Sequence, residues 1–255
     1  MSLERSISSL QHPLVKHLVK LRNDSHYRDQ QRSLVLEGFK PIQEVHTRVK
    51  KLLCTPSMVL RIDFKAAEMW TVSDQVIEKI SGMKQAEGIV AEVEMPVYDS
   101  LHEYSLLLAL DGINDPGNLG TLLRTALAFG WEGCYILENS CDPYNEKVIR
   151  AARGAHFKLP FQKVSAQHLQ QMALERNFQC LAADTTGTHF ETLSPSTSPR
   201  LLILGNEAHG PSETIRQFCT PITIPMSGNM ESLNVACAGA ILLYYLNSQN
   251  RSFRL

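Results

Sequence analysis

The sequence predicts an α/β protein in which a small N-terminal α/β domain precedes a C-terminal α/β domain with a largely parallel sheet. A chain of 255 residues suits two such domains, at about 100–200 residues each. Short apolar runs alternate with helical patterns along most of the chain, and this periodicity is lost around Pro96. We therefore expect domains at 1–95 and 105–255, joined by a linker at 96–104.

The N-terminal domain is predicted to open with a helix over residues 12–22, where Leu14 and Leu18 share one face and Pro13 suits the first turn. Basic residues occupy the opposite face of this helix. The other predicted elements are strands or strand ends at 33–38, 51–54, 58–64, 69–72 and 88–94, and helices at 41–49 and 74–80.

The C-terminal domain is predicted to open with residues 106–111, a continuous apolar run typical of a strand buried on both faces. A loop rich in Gly, Pro and Asn then leads into a helix that ends near Phe129. Further strands are predicted at 133–138, 159–164, 178–184, 201–205 and 222–225, and helices at 145–153, 166–176, 211–218 and from 235 onward. This alternation predicts a doubly wound sheet, with its ligand site at the carboxyl ends of the strands.

Several classes of protein are excluded by composition. The longest apolar run, residues 235–246, is shorter than the roughly 18–20 residues needed to cross a bilayer. The first twelve residues contain an acid and no apolar stretch typical of a signal peptide. No cysteine pair has C-x-x-C spacing and no histidines are paired as ligands, so we expect no metal site. These features predict a cytoplasmic protein.

Charge is distributed unevenly along the chain. Lys and Arg number 25 against 26 Asp and Glu, but residues 1–60 contain ten basic and five acidic side chains. Such an excess can face a polyanion, although it can equally be a solvated helix face. The candidate residues for binding such a polyanion are the basic side chains of the first helix and of the segments that follow it: Lys16, Lys20, Arg22, Arg32 and Lys40.

Three loops that follow predicted strands have compositions suited to ligand binding. Asp111–Arg124 enters a helix whose free N–H groups can hold an anion, but it has neither the P-loop nor the dinucleotide-binding pattern. Gly205–Ser212 has glycine near both ends, which allows a flat ligand to approach the backbone closely. Ile224–Asn234 precedes a helix of small residues, which permits close packing against the sheet or against a second copy.

Structural roles are also open for the polar residues of these loops. Asn118 can cap its helix, and Glu207 can cap the helix predicted from Pro211. Arg124 can be a surface charge, although its neighbours Leu122 and Leu123 are apolar.

The stretches NDPGNLGTLLRTA, LGNEAHGPSE and IPMSGNMESLNVACAGAI resemble, in this order, the three motifs of SpoU/TrmH-type RNA 2′-O-ribose methyltransferases of the SPOUT superfamily. The resemblance covers roughly residues 105–247. Through HPLVKHLVKLR and LVLEG, the first hundred residues are similar, more loosely, to an RNA-binding domain related to a ribosomal-protein fold. The resemblance implies a C-terminal trefoil knot, a homodimer with its active site at the dimer interface, and S-adenosylmethionine as cofactor.

The same resemblance implies two sets of site residues. The implied catalytic set is Asn118, Arg124, Glu207, Ser232 and Asn234. The implied cofactor-binding set is Leu204, Gly205, Asn206, Gly210, Ile224, Pro225, Met226 and Leu233. Arg124 is implied to take the proton of the ribose hydroxyl. Because an arginine guanidinium stays protonated at neutral pH, Arg124 can instead clamp a substrate phosphate.

We therefore expect S-adenosylmethionine-dependent methylation of a ribose 2′-hydroxyl in structured RNA, with ribosomal RNA favoured over transfer RNA. The alternatives are a catalytically silent RNA-binding relative, a nucleotide-dependent oxidoreductase and a purely structural protein. The intact polar motif residues argue against the first alternative. The missing dinucleotide-binding pattern argues against the second, and the three glycine-bearing loops argue against the third.

Overall fold

A computed structural model describes residues 5–98, 100–194, 198–228 and 230–250 of the chain, with the side chains of 249 and 250 left aside. The chain divides into two compact units. One is Met1–Val97 together with Tyr144–Ile149, and the other is Tyr98–Pro143 together with Arg150–Leu255. No helix within the described ranges is both long and apolar enough to span a membrane.

The N-terminal unit is a mixed sheet with helices packed on it. Its strands are β1 (Arg5–Ile7), β2 (Ser33–Glu37), β3 (Val49–Cys54), β4 (Glu68–Val72) and β5 (Ile89–Glu94). Its helices are α1 (Pro13–Asn23), α2 (Ser25–Gln31), α3 (Phe39–Glu44), α4 (Pro56–Val59) and α5 (Asp74–Ser81). The strand order is β1-β4-β3-β5-β2, and β5 runs antiparallel to both of its neighbours.

Helix α1 shows how the local sequence directs this packing. The ring nitrogen Nδ1 of His12 accepts the Leu14 N–H at 3.2 Å, and Pro13 fills the first helical position. Val15 and Leu18 recur at helical spacing and are buried, together with Ile80 of α5, in one apolar core. Lys16 and Lys20 are thereby left exposed on the opposite face. The predicted position on that face is wrong for Arg22, which is half-buried and contacts the end of α5.

Two of the predicted N-terminal elements are wrong. The helix predicted over 41–49 ends at Glu44, and a single 3₁₀ turn, His46–Arg48, leads into β3. The β-branched residues Val45, Thr47 and Val49 weaken helix propagation there. No strand forms over 58–64, because Pro56 starts the short helix α4 and a loop follows it.

The C-terminal unit has a parallel sheet. Its strands are β6 (Leu106–Asp111), β7 (Gly133–Leu137), β8 (Phe161–Val164), β9 (Gln179–His189), β10 (Arg200–Gly205) and β11 (Thr220–Thr223). Its helical segments are α6 (Pro116–Ala128), α8 (Ala166–Glu175), α9 (Glu213–Arg216) and α10 (Val235–Asn250), while α7 (Glu146–Ala152) lies on residues assigned to both units. Every strand pairing of this sheet is parallel, as predicted.

The strand order of this sheet, β11-β9-β10-β6-β7-β8, differs from a plain doubly wound arrangement. In a plain doubly wound sheet, β7 and β8 would extend from one side of β6, and the next strand in the chain, β9, would pair with the other side of β6. Instead, β10 pairs with β6 on one side and with β9 on the other, although β9 precedes it in the chain. The carboxyl ends of β6 and β10 consequently lie side by side, with Gly205 opposite Asp111.

Helix α10 packs closely on this arrangement because its inner face is small. A side chain at Gly239 would collide with the methyl groups of Leu122 in α6 and Leu204 in β10. The Nε1–H group of Trp131 donates to the carbonyl of Leu243 at 3.0 Å and fixes the later part of the helix. The start of α10 is thereby held against the carboxyl end of β10.

Candidate active site

Three polar side chains from distant parts of the chain form a hydrogen-bonded line at the carboxyl ends of β6 and β10. Asn118 Nδ2 donates to Glu207 Oε1 at 2.9 Å. Asn234 Nδ2 donates to Asn118 Oδ1 at 3.0 Å. These pairs are 89 and 116 positions apart in sequence. The structure thus joins one predicted catalytic residue from each of the three motifs.

The start of α6 leaves the Asn118 side chain available for these bonds. Asp115 is the N-cap residue, and its Oδ1 accepts the Asn118 N–H at 2.8 Å. Pro116 occupies the first helical turn. Asn118 is therefore not the cap of its helix, and its amide is oriented by Glu207 and Asn234.

The Asn234 side chain caps helix α10 and also bonds to Asn118. Its Oδ1 accepts the N–H groups of Ala236 and Cys237, at 2.9 and 3.3 Å, and so caps the start of α10. This fixes the amide so that its nitrogen points to Asn118. The capping requirement of the helix and the orientation of Asn118 are thus met by one side chain.

Glu207 lies at the tip of a tight loop. Asn206 and Gly210 exchange two backbone hydrogen bonds, of 3.1 and 2.8 Å, so the loop turns back on itself. A side chain at Gly205 would collide with the returning backbone at Gly210 and Pro211, so glycine is required there. Asn206 Nδ2 also donates to the Gly112 carbonyl at 2.9 Å, tying this loop to the end of β6.

Asp111 lies beneath the same loops and is buried. Its Oδ2 accepts the Ser212 N–H at 2.6 Å, and its Oδ1 accepts Asn139 Nδ2 at 3.0 Å. This buried carboxylate therefore fixes two loops relative to the strand end. It was not among the predicted site residues, although a carboxylate that closes an apolar strand was a visible signal.

A cavity of about 360 Å³ opens beside the hydrogen-bonded line. Of the predicted cofactor-binding residues, Pro225 is not part of its wall, and the others are: Leu204, Gly205, Asn206, Gly210, Ile224, Met226 and Leu233. Glu207 and Ser232 of the predicted catalytic set line it as well. The lining combines apolar residues such as Leu204 and Leu242 with polar residues such as Glu207 and Ser232.

The wall formed by the middle of β9 and by α9 contains residues that sequence reasoning missed. Arg216 Nη1 lies 2.8 Å from Asp184 Oδ2, and Thr186 donates two hydrogen bonds to Asp184 Oδ1. Burial disfavours ionisation of Asp184, but these hydrogen bonds and the nearby guanidinium outweigh it and lower the pKa of the carboxyl. Asp184 ends a predicted strand, so the rule that placed the other three loops also applied to it.

Arg124 is not joined to this group. It is exposed on α6 and forms no hydrogen bond or ion pair with any residue that the structure describes. Its guanidinium is available to a ligand from outside the chain. Ser232 is likewise exposed at the cavity mouth.

The candidate RNA-binding residues differ in how far they are already engaged. Lys16, Arg32 and Lys40 are exposed. The Lys20 ammonium lies 4.3 Å from the centre of the Tyr27 ring. Arg22 is half-buried and donates to the carbonyls of Lys79 and Ile80 at the end of α5. Arg22 therefore supports the fold of the unit as well as contributing charge.

Two family models match the chain. The MRM3-like substrate binding domain matches residues 12–91, and the SpoU rRNA Methylase family matches residues 105–244. The chain belongs to the SpoU rRNA methylase family. The predicted family is thereby confirmed, and with it the class of enzyme, a methyltransferase that acts on RNA and uses S-adenosylmethionine.

Characterised and uncharacterised relatives of this SpoU family member span almost its whole length. An uncharacterized tRNA/rRNA methyltransferase from Synechocystis is 31% identical over 96% of this chain and 94% of its own. The 23S rRNA (guanosine(2553)-2′-O)-methyltransferase RlmP from Bacillus subtilis is 27% identical over 95% of this chain and 99% of its own.

Solved structures of similar proteins confirm the predicted fold class. The AdoMet-bound rRNA methyltransferase from Sinorhizobium meliloti has a TM-score of 0.84 and 26% identity, covering 96% of this chain and 98% of its own. The SpoU methyltransferase AviRb from Streptomyces viridochromogenes, in complex with AdoMet, has a TM-score of 0.84 and 25% identity, covering 96% of this chain and all of its own.

Proposed function

We propose that this protein transfers a methyl group from S-adenosylmethionine to the 2′-hydroxyl of a nucleotide in ribosomal RNA. The observation that carries the proposal is the line Glu207–Asn118–Asn234 beside the cavity, because it joins polar groups of all three motifs. Ribosomal RNA is proposed because relatives such as RlmP are named as 23S rRNA 2′-O-methyltransferases.

The residues of the cavity fit S-adenosylmethionine. A volume of about 360 Å³ falls in the range of small-molecule sites, about 300–1,000 Å³. The apolar walls at Leu204, Ile224 and Leu242 suit a flat base, while the ionised Asp184 suits hydroxyl or ammonium groups. When bound, S-adenosylmethionine supplies an electrophilic methyl group on a positively charged sulfur.

The residues of the chain then have mainly a positioning task. A hydroxyl oxygen must face the methyl group in line, and a fixed orientation of the acceptor lowers the barrier by removing entropy beforehand. Asn118 is locked by Glu207 and Asn234, so it presents a rigid polar edge to an incoming ribose. We assign to these three residues the orientation of the acceptor hydroxyl.

Arg124 is assigned to the RNA backbone. A guanidinium remains protonated at neutral pH and can hold a phosphate through two parallel hydrogen bonds. An exposed arginine on the same helix as Asn118, with no partner in the described part of the chain, suits that task better than proton removal. If Arg124 clamps a phosphate, Arg124→Lys raises KM for RNA and leaves kcat largely intact. A fall in kcat at unchanged KM contradicts the clamp and supports the role in proton removal.

We also propose that the protein acts as a homodimer through α10. Cys237, Ile241 and Tyr244 recur at helical spacing and form an exposed stripe, with 54% of Tyr244 accessible. An apolar stripe of this kind is suited to a two-fold contact with the same stripe of a second copy. Sedimentation velocity of Ile241→Glu tests this: the variant should be monomeric, and an unchanged mass contradicts the proposed contact.

The N-terminal unit is proposed to bind the RNA, with residues 1–95 as the substrate-binding domain and 105–255 as the methyltransferase domain. Its basic side chains would bind the RNA backbone in a salt-dependent manner.

The six cysteines are free, which suits the proposed cytoplasmic location.

Alkaline hydrolysis tests the proposed reaction directly. Ribosomal RNA and transfer RNA, isolated separately from cells that lack the protein, are each incubated with the purified protein and isotopically labelled S-adenosylmethionine. A ribose methylated at its 2′-oxygen cannot form the cyclic phosphate needed for cleavage. Label should therefore appear in alkali-resistant dinucleotides. Label released as mononucleotides indicates base methylation and contradicts the proposal, and label in transfer RNA alone contradicts the proposed target.

A further inference from the structure

A group of partly exposed aromatic rings lies in the N-terminal unit, outside the apolar cluster formed by α1, α5 and the sheet. Phe39 begins α3, and Phe64 lies in the loop between α4 and β4. Their ring centres are 6.5 Å apart, and the His46 ring lies 5.9 Å from that of Phe64. The guanidinium carbon of Arg61 lies 5.2 Å from the centre of the Phe39 ring. We call Phe39, His46, Arg61 and Phe64 the aromatic platform.

Hydrogen bonds hold the loop of the platform against α3. Gln43 Nε2 donates to both carboxylate oxygens of Asp63, at 3.2 Å each. His46 Nδ1 donates to the Gln43 carbonyl at 3.0 Å, which orients the imidazole ring. The Phe39 N–H donates to Glu87 at 2.8 Å. The rings are thus held in place without a ligand.

An open pocket of about 660 Å³ adjoins the platform. Phe64 and His46 form its aromatic wall, while Gln43, Thr47 and Asp63 supply hydrogen-bonding groups. Lys65 also lines it and is exposed, with no ion pair within the described ranges of the chain. The pocket therefore combines a stacking surface, polar edges and a cation.

The platform does not belong to the apolar cluster between α1, α5 and the sheet. That cluster contains residues such as Leu18, Leu53 and Ile80. Phe39 and Phe64 lie outside that cluster and remain half-exposed. Half-exposed rings beside cations are a common way to bind unpaired bases, because every base has a face that stacks on an aromatic ring.

We propose that this pocket binds an unpaired nucleotide of the RNA substrate, with its base stacked on Phe64 and His46 and its phosphate near Lys65. The inference rests on the proposed function and names a second contact of the same RNA, in the N-terminal unit. Paired RNA does not offer a free base face, so the pocket selects looped or single-stranded segments.

Fluorescence anisotropy tests the proposal with a labelled single-stranded oligoribonucleotide and a paired RNA of the same length. Stacking contributes about 1–3 kcal/mol per base, so Phe64→Ala should raise the Kd for the single strand roughly tenfold. The Kd for the duplex should stay within about twofold of that of the wild-type protein, because a duplex has no unpaired base to stack on the ring. Leu60→Ala is the matched control, because Leu60 lies four residues away and is 93% exposed.

A second variant separates stacking from folding. Phe64→Trp keeps an aromatic face, so its Kd for the single strand should be equal to or lower than that of the wild-type protein. A variant that is misfolded would instead bind both the single strand and the duplex more weakly. An oligouridylate carrying one 2-aminopurine should lose fluorescence on binding wild-type protein, and that quenching should disappear in Phe64→Ala. Equal Kd values for Phe64→Ala and Leu60→Ala, or unchanged quenching, overturn the proposal.

The outcomes also distinguish this pocket from the proposed function. If Phe64→Ala binds the single strand normally while wild-type protein methylates ribosomal RNA, nucleotide binding in the pocket is contradicted and the proposed function is supported. If Phe64→Ala loses single-strand binding while wild-type protein transfers no methyl group, nucleotide binding in the pocket is supported and the proposed function is contradicted. Binding of S-adenosylmethionine should be equal in all of these variants.

Discussion

The two units of this protein use polar side chains in opposite ways. In the C-terminal unit, Asn118, Glu207 and Asn234 are bonded to one another across the sequence, and Asp111 fixes the loops beneath them. In the N-terminal unit, Lys16 and Lys40 are exposed to solvent. A group that orients a reacting atom must have one geometry, whereas a cation that faces a phosphate backbone can contribute from many. Substitutions in the first set should therefore change rate, and those in the second should change salt-dependent affinity.

The largest effect is expected for Arg124→Ala. Loss of the proposed phosphate clamp misplaces the ribose, and kcat/KM should fall about 100-fold. S-adenosylmethionine binding, measured by calorimetry, should be unchanged. Thr121→Ala, three positions earlier on α6 and also exposed, is the control. A wild-type KM for RNA together with a wild-type kcat/KM in Arg124→Ala contradicts the assignment.

Asn118→Ala should be the next most severe change, because it removes both bonds of the line. A hydrogen bond to a charged group contributes about 1.5–3 kcal/mol, which predicts a loss in kcat of at least tenfold. Asn118→Asp should be no better, since its carboxylate faces Glu207 and cannot donate. Rates for both variants come from methylation under saturating S-adenosylmethionine. Retention of activity in Asn118→Asp shows that the donated bond is dispensable.

Glycine substitutions compare the site loop with the helix that supports it. At Gly205 a methyl group meets backbone, whereas at Gly239 it meets the tips of two leucine side chains. Overpacking costs about 1–3 kcal/mol, and the backbone clash should lie at the upper end. Urea unfolding should therefore show Gly205→Ala as the less stable variant. The reverse order means that the loop at Gly210–Pro211 gives way more easily than Leu122 and Leu204.

Low pH should destabilise the N-terminal unit by protonating Glu92. Burial disfavours ionisation of this carboxyl, but Lys51, at 2.7 Å, and His17 lower its pKa below the usual value. Because the folded pKa is depressed, this stabilisation is fully present above the unfolded pKa of about 4.3 and is lost as the pH falls through the folded value. Amide hydrogen exchange in β5 should therefore become faster as the pH falls through the folded pKa of Glu92. In Glu92→Gln the exchange rate should depend less on pH in that range. A pH dependence unchanged in Glu92→Gln assigns the acid sensitivity to other carboxyls.

The smallest effects are expected for the exposed cations. Lys16→Ala and Lys40→Ala should each weaken RNA binding about twofold to threefold, and the salt slope should fall by about 0.7–0.9 for each phosphate that is no longer neutralised. Filter binding across a range of salt concentrations measures the slope. A change of rate at saturating RNA, with an unchanged slope, would place these lysines in the catalytic machinery and remove the contrast between the units.

Much of the candidate site could be anticipated because it lies at strand ends. Alternating apolar runs locate β6 and β10, and the loops after them contain Asn118 and Glu207. Which residues touch could not be anticipated, because the bond between Asn118 and Glu207 joins residues 89 positions apart. The position of β10 between β6 and β9 could not be predicted either, because it also depends on contacts between distant parts of the chain. Local patterns define a strand, but its neighbours are chosen by long-range packing.

Two further differences between the predicted and the observed structure have separate causes. A helix continued through residues 45–49 was expected from apolar spacing, but β-branched residues and the start of β3 compete with it there. Asp184 was missed because its partner Arg216 lies on the short helix α9, so the ion pair is visible only in three dimensions.

Methylation of a ribose in ribosomal RNA can be tested in cells by mapping 2′-O-methylation across all cellular RNA. The cells compared have the protein, lack it, or have Asn118→Ala in its place. One ribosomal RNA nucleotide should lose its ribose methyl group without the protein and should not regain it with Asn118→Ala. An unchanged ribosomal RNA map, or a site lost from transfer RNA alone, would contradict ribose methylation of ribosomal RNA by this protein.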